Sequence, residues 1–130
     1  MAETTLVGFD VASGEKVLDG LREAGVRIAV ALWAKTSDYD EPRLFIASPD
    51  FNSASKLEAY TRVDRAIQSK FVWSAPNIMV LPMTDPMIVV LQRLFGSTRS
   101  VSGMRLGGQM IGNRYLEDAY VYQIENAKAA

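Results

Sequence analysis

A chain of 130 residues, 48% hydrophobic and carrying a formal net charge of −1, has the size and balance of one domain that buries its own core. Its composition excludes global disorder, and its near-neutral charge gives no bulk attraction to nucleic acid or to an anionic membrane. It contains no cysteine and no histidine, which excludes disulfides, thiolate nucleophiles, cysteine- or histidine-ligated metals and every catalytic arrangement built on imidazole.

The N-terminus, Met1-Ala2-Glu3-Thr4-Thr5, has no basic stretch leading into an apolar run and does not read as a secretory signal. Apolar runs along the chain are of strand or short-helix length, below the roughly 20 residues of a membrane span. No membrane contact is expected, and the cytoplasm is the expected compartment. No repeat, low-complexity tract or linker interrupts the chain, so residues 1–130 are expected to form a single globular domain.

The first helix is expected from Asp10 or Ser13 to Ala24. Val17, Leu18, Leu21 and Ala24 recur at helical spacing, with Lys16, Asp19, Arg22 and Glu23 on the other face. Gly25 supplies the stop, and Gly14 and Gly20 each weaken the helix by about 1 kcal/mol. The β-branched, almost uncharged run Val26 to Ala34 reads as a strand buried on both faces. The polar stretch Thr36 to Pro42 is a turn, and Arg43 to Ser48 completes a hairpin.

Ser55 and Glu58 have the spacing of a capping box. Ala59, Tyr60, Val63, Ala66, Ile67 and Phe71 then make one apolar stripe of a second helix. After Pro76 comes a short strand, Ile78 to Leu81. A third helix is capped by Asp85, has Pro86 at its first position and ends at Gly96. Met87 to Leu91 is apolar on every side, so this helix needs cover on most of its faces.

The C-terminal part reads as a hairpin of Met104 to Ile111 and Arg114 to Ile124 around Gly112-Asn113, followed by a frayed tail from Asn126. The expected fold is therefore α/β of the α+β type: one mixed sheet of about five strands, in the order α-β-β-α-β-α-β-β. Helices cover at least one face.

Four constellations could carry function. Asp38, Asp40 and Glu41 could hold a hard divalent cation through oxygen ligands, although a charged, solvated hairpin tip is the preferred reading. Arg99, Arg105 and Arg114, with Ser100 and Ser102, lie in a glycine- and hydroxyl-rich stretch that could nest a phosphate or other small anion. The stretch fits neither a P-loop nor a dinucleotide-binding turn. Asp118, placed by simple alternation with Leu116, Tyr120, Tyr122 and Ile124, needs a partner, for which Arg105 or Arg114 is the natural choice; a proton-holding acid in a pocket is the alternative. Methionines gather around the third helix, where core filling is the favoured reading, and Met83, Met87, Val90 and Leu91 are the alternative, a subunit interface.

Gly107-Gly108-Gln109 matches a release-factor tripeptide, but the glycines are better read as a bulge or a close backbone approach. Ala31-Leu32-Trp33, Arg43-Leu44-Phe45-Ile46-Ala47-Ser48-Pro49, Glu58-Ala59-Tyr60-Thr61-Arg62-Val63 and Glu117-Asp118-Ala119-Tyr120-Val121-Tyr122 resemble a group of short uncharacterised bacterial proteins. That resemblance implies a bacterial origin and transfers no functional residue.

Together these features lead to a cytoplasmic, self-associating interaction module, a homodimer with no cofactor and no assigned catalytic residue. Binding of a phosphate-bearing ligand at the arginine segment is the alternative, and nucleic acid is not an expected partner.

Overall fold

The computed structural model describes residues 10–52, 55–71, 75–97 and 101–125. Helix α1 (Val11–Glu23) leads into the hairpin β1 (Val30–Thr36) and β2 (Arg43–Ala47). Helix α2 (Lys56–Ile67) crosses to β3 (Ile78–Leu81), and α3 (Pro86–Phe95) follows. Three strands close the chain: β4 (Arg105–Leu106), β5 (Gln109–Ile111) and β6 (Arg114–Ile124). They form one mixed α+β sheet of six strands in the order β3-β2-β1-β6-β4, with β5 also on β6. Only β2 and β3 run parallel, joined by the α2 crossover; the other pairs are antiparallel.

The helices start where their caps direct. The Asp10 carboxylate accepts from Ser13 N at 3.0 Å. The reciprocal pair of the Ser55–Glu58 box is formed at 3.1 and 2.9 Å, and Asp85 accepts from Met87 N at 3.0 Å.

The six strands exceed the expected five because the run from Met104 to Ile111 is two strands. Gly108 takes φ +68°, and a Cβ on Gly107 would sit 3.0 Å from the Glu117 carbonyl oxygen. The chain therefore kinks at this pair before rejoining β6. β1 also begins later than expected and runs further. Before it, Val26 N closes the end of α1 by donating to Leu21 O at 2.9 Å, and Arg27 N donates to Asp50 at 2.8 Å, so these amides are taken away from the ladder.

Alternation along β1 and β2 sends side chains into two cores. On one face, α1 and α2 pack Val17, Leu18, Leu21, Ala59, Val63 and Ile67 against Ala31, Trp33, Leu44 and Ile46. On the other, α3 packs Met87, Ile88 and Leu91 against Leu32, Ala34, Phe45 and β6.

β6 does not alternate simply. Its register against β1 slips twice, between Ala31 and Leu32 and between Lys35 and Thr36. Leu116, Ala119, Val121 and Ile124 thereby all reach the α3 side, while Tyr120 and Tyr122 join the α1–α2 side. This corrects the single face expected for Asp118, Leu116, Tyr120, Tyr122 and Ile124. The two register shifts are what put Leu116, Ala119, Val121 and Ile124, spaced by three, two and three residues, on one face.

Candidate interaction surfaces

The acidic loop between β1 and β2 is exposed at Asp38, Asp40 and Glu41. It borders a shallow groove of about 380 Å³ with Tyr39, Arg43 and Asn77. The Arg43 guanidinium lies 3.9 Å from the Tyr39 ring centre. Among the described residues, no group of three Asp or Glu side chains is gathered to hold a metal ion. The expected cation site is thus not assembled: like charges on an exposed turn repel one another and stand apart in water.

The arginine cluster is not assembled either. Arg105, opposite Tyr120 in the register, lies on the α1–α2 side. Its Nη2 donates to Asp118 Oδ1 and Oδ2 at 2.6 and 2.5 Å, and its Nε to Ala119 O at 3.1 Å. Arg114 lies on the α3 side, 5.7 Å above the Phe45 ring, and donates to Asp85 Oδ2 at 2.7 Å. The two guanidinium groups occupy opposite faces of the sheet, each taken by a carboxylate. Arg99 and Ser100 lie outside the described residues. Ser102 lines a groove of about 200 Å³ with Glu15, Asp19, Arg22 and Tyr122, where the two acids oppose an anion.

Asp118 is an ion-pair partner. It also accepts from Ala119 N at 2.9 Å, and its side chain is mostly withdrawn from solvent. On the same side of the sheet, Tyr122 Oη donates to Val11 O at 2.7 Å and Trp33 Nε1 to Asp10 O at 3.2 Å, which anchors the first turn of α1. Burial holds the Tyr122 phenol well above the ordinary tyrosine range.

The third helix divides its apolar residues between inside and outside. Met87 and Leu91, candidates for an interface, are fully buried with Ile88. They are core residues, because among the described residues α3 is the helix that packs on this face of the sheet. Outside, Leu94 is 55% exposed and Val89 38%. Val90, Phe95 and Met83 are partly buried beside them. Met87 to Leu91 is apolar on every side, so that stretch by itself does not say which residues turn inward; Gln92 and Arg93 carry the polar signal of the helix.

Two further features lie away from α3. Met110 and Tyr115, directly opposite each other on β5 and β6, are both exposed. A half-open cleft of about 220 Å³ lies between the start of α2 and β3, floored by Phe51, Ala59, Tyr60, Val80, Leu81 and Pro82. The first follows from the two-residue turn at Gly112-Asn113, which sets Met110 opposite Tyr115; the cleft does not, because it depends on which distant elements are neighbours.

Among the described residues, no helix is long and apolar enough to cross a membrane. No protein family, curated protein or solved structure matches the chain.

Proposed function

We propose that this chain is a non-catalytic interaction module of the cytoplasm that self-associates as a dimer, the outer face of α3 meeting the same face of a second copy. The observation that carries this reading is the surplus of apolar side chains on α3. With Met87, Ile88 and Leu91 already buried in its own core, and Val90 and Phe95 partly buried against it, the helix still presents Val89 and Leu94 to water on either side of the exposed Arg93.

A two-fold axis through this face would bring each such residue against its own copy or a near neighbour, the self-complementary arrangement of most homodimers. Fully burying one leucine or valine is worth roughly 1.5–3 kcal/mol. Val89 and Leu94 have 38% and 55% of their surface left to lose, so this face supports a weak, concentration-dependent dimer after the cost of immobilising two chains.

Sedimentation equilibrium from low to high micromolar concentration tests the reading. A dimer that Leu94→Lys converts to monomer, with the circular dichroism unchanged, is the expected result. A wild-type chain that stays monomeric throughout ends the proposal.

A further inference from the structure

The cleft between the start of α2 and β3 has a volume of about 220 Å³ and an apolar floor of Phe51, Ala59, Tyr60, Val80, Leu81 and Pro82. Phe51, Ala59 and Leu81 are themselves buried, so the floor is continuous with the core and firmly set. A cavity of roughly 150 Å³ between aliphatic side chains admits a benzene ring, and this larger space admits a ring with a short side chain. A concave apolar floor with a few polar groups at its margin is the usual form of a small-molecule pocket.

The margin is polar at Asn52, Ser55 and Lys56. Ser55 is taken up by the capping box with Glu58. Lys56 is exposed and has no ion-pair partner among the described residues. No acid is among the described residues that line the cleft, so the charge at its margin is positive. The neighbouring Asp50 carboxylate is held by the Arg27 guanidinium. Tyr60 supplies a second donor. Its hydroxyl accepts from Val80 N at 2.9 Å, and its own hydrogen has no acceptor among the described residues. Lys56 and Tyr60 stand four apart on α2 and therefore share one face of the helix.

We infer that this cleft binds a small carboxylate with an apolar body the size of a phenyl ring. The ring lies on the Phe51–Val80 floor, and Lys56 and the Tyr60 hydroxyl receive the carboxylate at the mouth. A cation is opposed by Lys56, and a wholly apolar ligand leaves both donors unused. The cleft lies on the α1–α2 side of the sheet, away from α3, so its occupancy is independent of the α3 surface.

Phenylacetate is the probe and uncharged phenylacetamide the control, each titrated into the isotope-labelled full chain while backbone amide shifts are followed. Phenylacetate shifts should saturate with a Kd of about 1 mM or below and centre on Phe51, Ala59, Tyr60 and Val80. Phenylacetamide should bind about fivefold more weakly. Lys56→Gln, a change at an exposed position that leaves the spectrum folded, should lower the affinity for phenylacetate to that for phenylacetamide and leave the latter unchanged. The absence of a saturable shift up to about 20 mM phenylacetate overturns the inference. So do equal affinities for acid and amide in the wild-type chain, an unchanged phenylacetate affinity in Lys56→Gln, and shifts centred away from the cleft. Cleft shifts that follow protein concentration with no probe present would put a second copy there, and they overturn it too.

Discussion

Arg114 Nη1 donates to Asp85 Oδ2 at 2.7 Å, with only 15% and 10% of the two side chains left exposed. The same Asp85 oxygen accepts from Met87 N, so one carboxylate both caps α3 and ties it to the first residue of β6. Phe45 of β2 lies beneath the guanidinium, which brings a third element into the contact.

Removing either partner leaves the other charge poorly solvated. Asp85→Ala loses the cap as well as the pair and should cost about 2–4 kcal/mol. Arg114→Met, which keeps the packing on Phe45, should cost less. Urea unfolding of the two single variants and the double variant should give a coupling of about 1–2 kcal/mol, whereas additive costs would mean the contact is not energetically shared.

The inner and outer sides of α3 separate in two different assays. Leu91→Ala empties a fully buried site and should lower unfolding free energy by about 2–5 kcal/mol. Leu94→Ala, at a 55% exposed site, should change monomer stability by less than about 1 kcal/mol and weaken self-association instead. The reverse order in thermal denaturation would contradict the assignment of the two faces.

Asp50 accepts from Arg27 N and from its guanidinium. The side-chain hydrogen bond from Arg27, more than any other contact, holds the Asp50 carboxyl below the usual aspartate range. A carboxylate depressed in the folded state contributes stability that is complete above its unfolded pKa, about 4, and fades as pH falls through the folded value. Asp50→Asn should therefore flatten the acid limb of the stability–pH curve below about pH 4. The loss of stability should be largest near neutrality, and a variant curve parallel to the wild type down to strong acid would refute this.

Gly20 is the point where α1 crosses α2. A Cβ there would sit 2.8 Å from the Ala66 carbonyl oxygen and 3.3 Å from Ile67. Helix propensity alone favours Gly20→Ala by about 1 kcal/mol. The clash with backbone outweighs it, and the variant should be less stable by about 1–3 kcal/mol in chemical denaturation. A stabilised variant would show that the helices separate at little cost.

Much of the fold was legible along the chain. The caps at Asp10, Ser55 and Asp85, the strand Ile78–Leu81 and the hairpin turn at Gly112-Asn113 stand where their residues place them. Each is a contest among neighbours within a turn or two, settled by side-chain oxygens, proline and glycine close by. The candidate surfaces were less legible. Met87 and Leu91 look no different from Val90 and Leu94 along the helix, and only the sheet beneath decides which of them is wet.

What the amino-acid order determined by itself is the three helices, the order of the main strands and the chemistry that the chain cannot perform through thiolate or imidazole. What the tertiary structure alone decided is which groups meet. It put Arg105 with Asp118 and Arg114 with Asp85 on opposite faces, and it set two slips of register in β6. It also brought the Tyr60 hydroxyl to the Val80 amide of β3. Hydrogen-bond preference near a residue is local. Strand order, bulges and the sharing of one helix between core and surface depend on contacts between residues far apart in the chain, so no short window of sequence contains them.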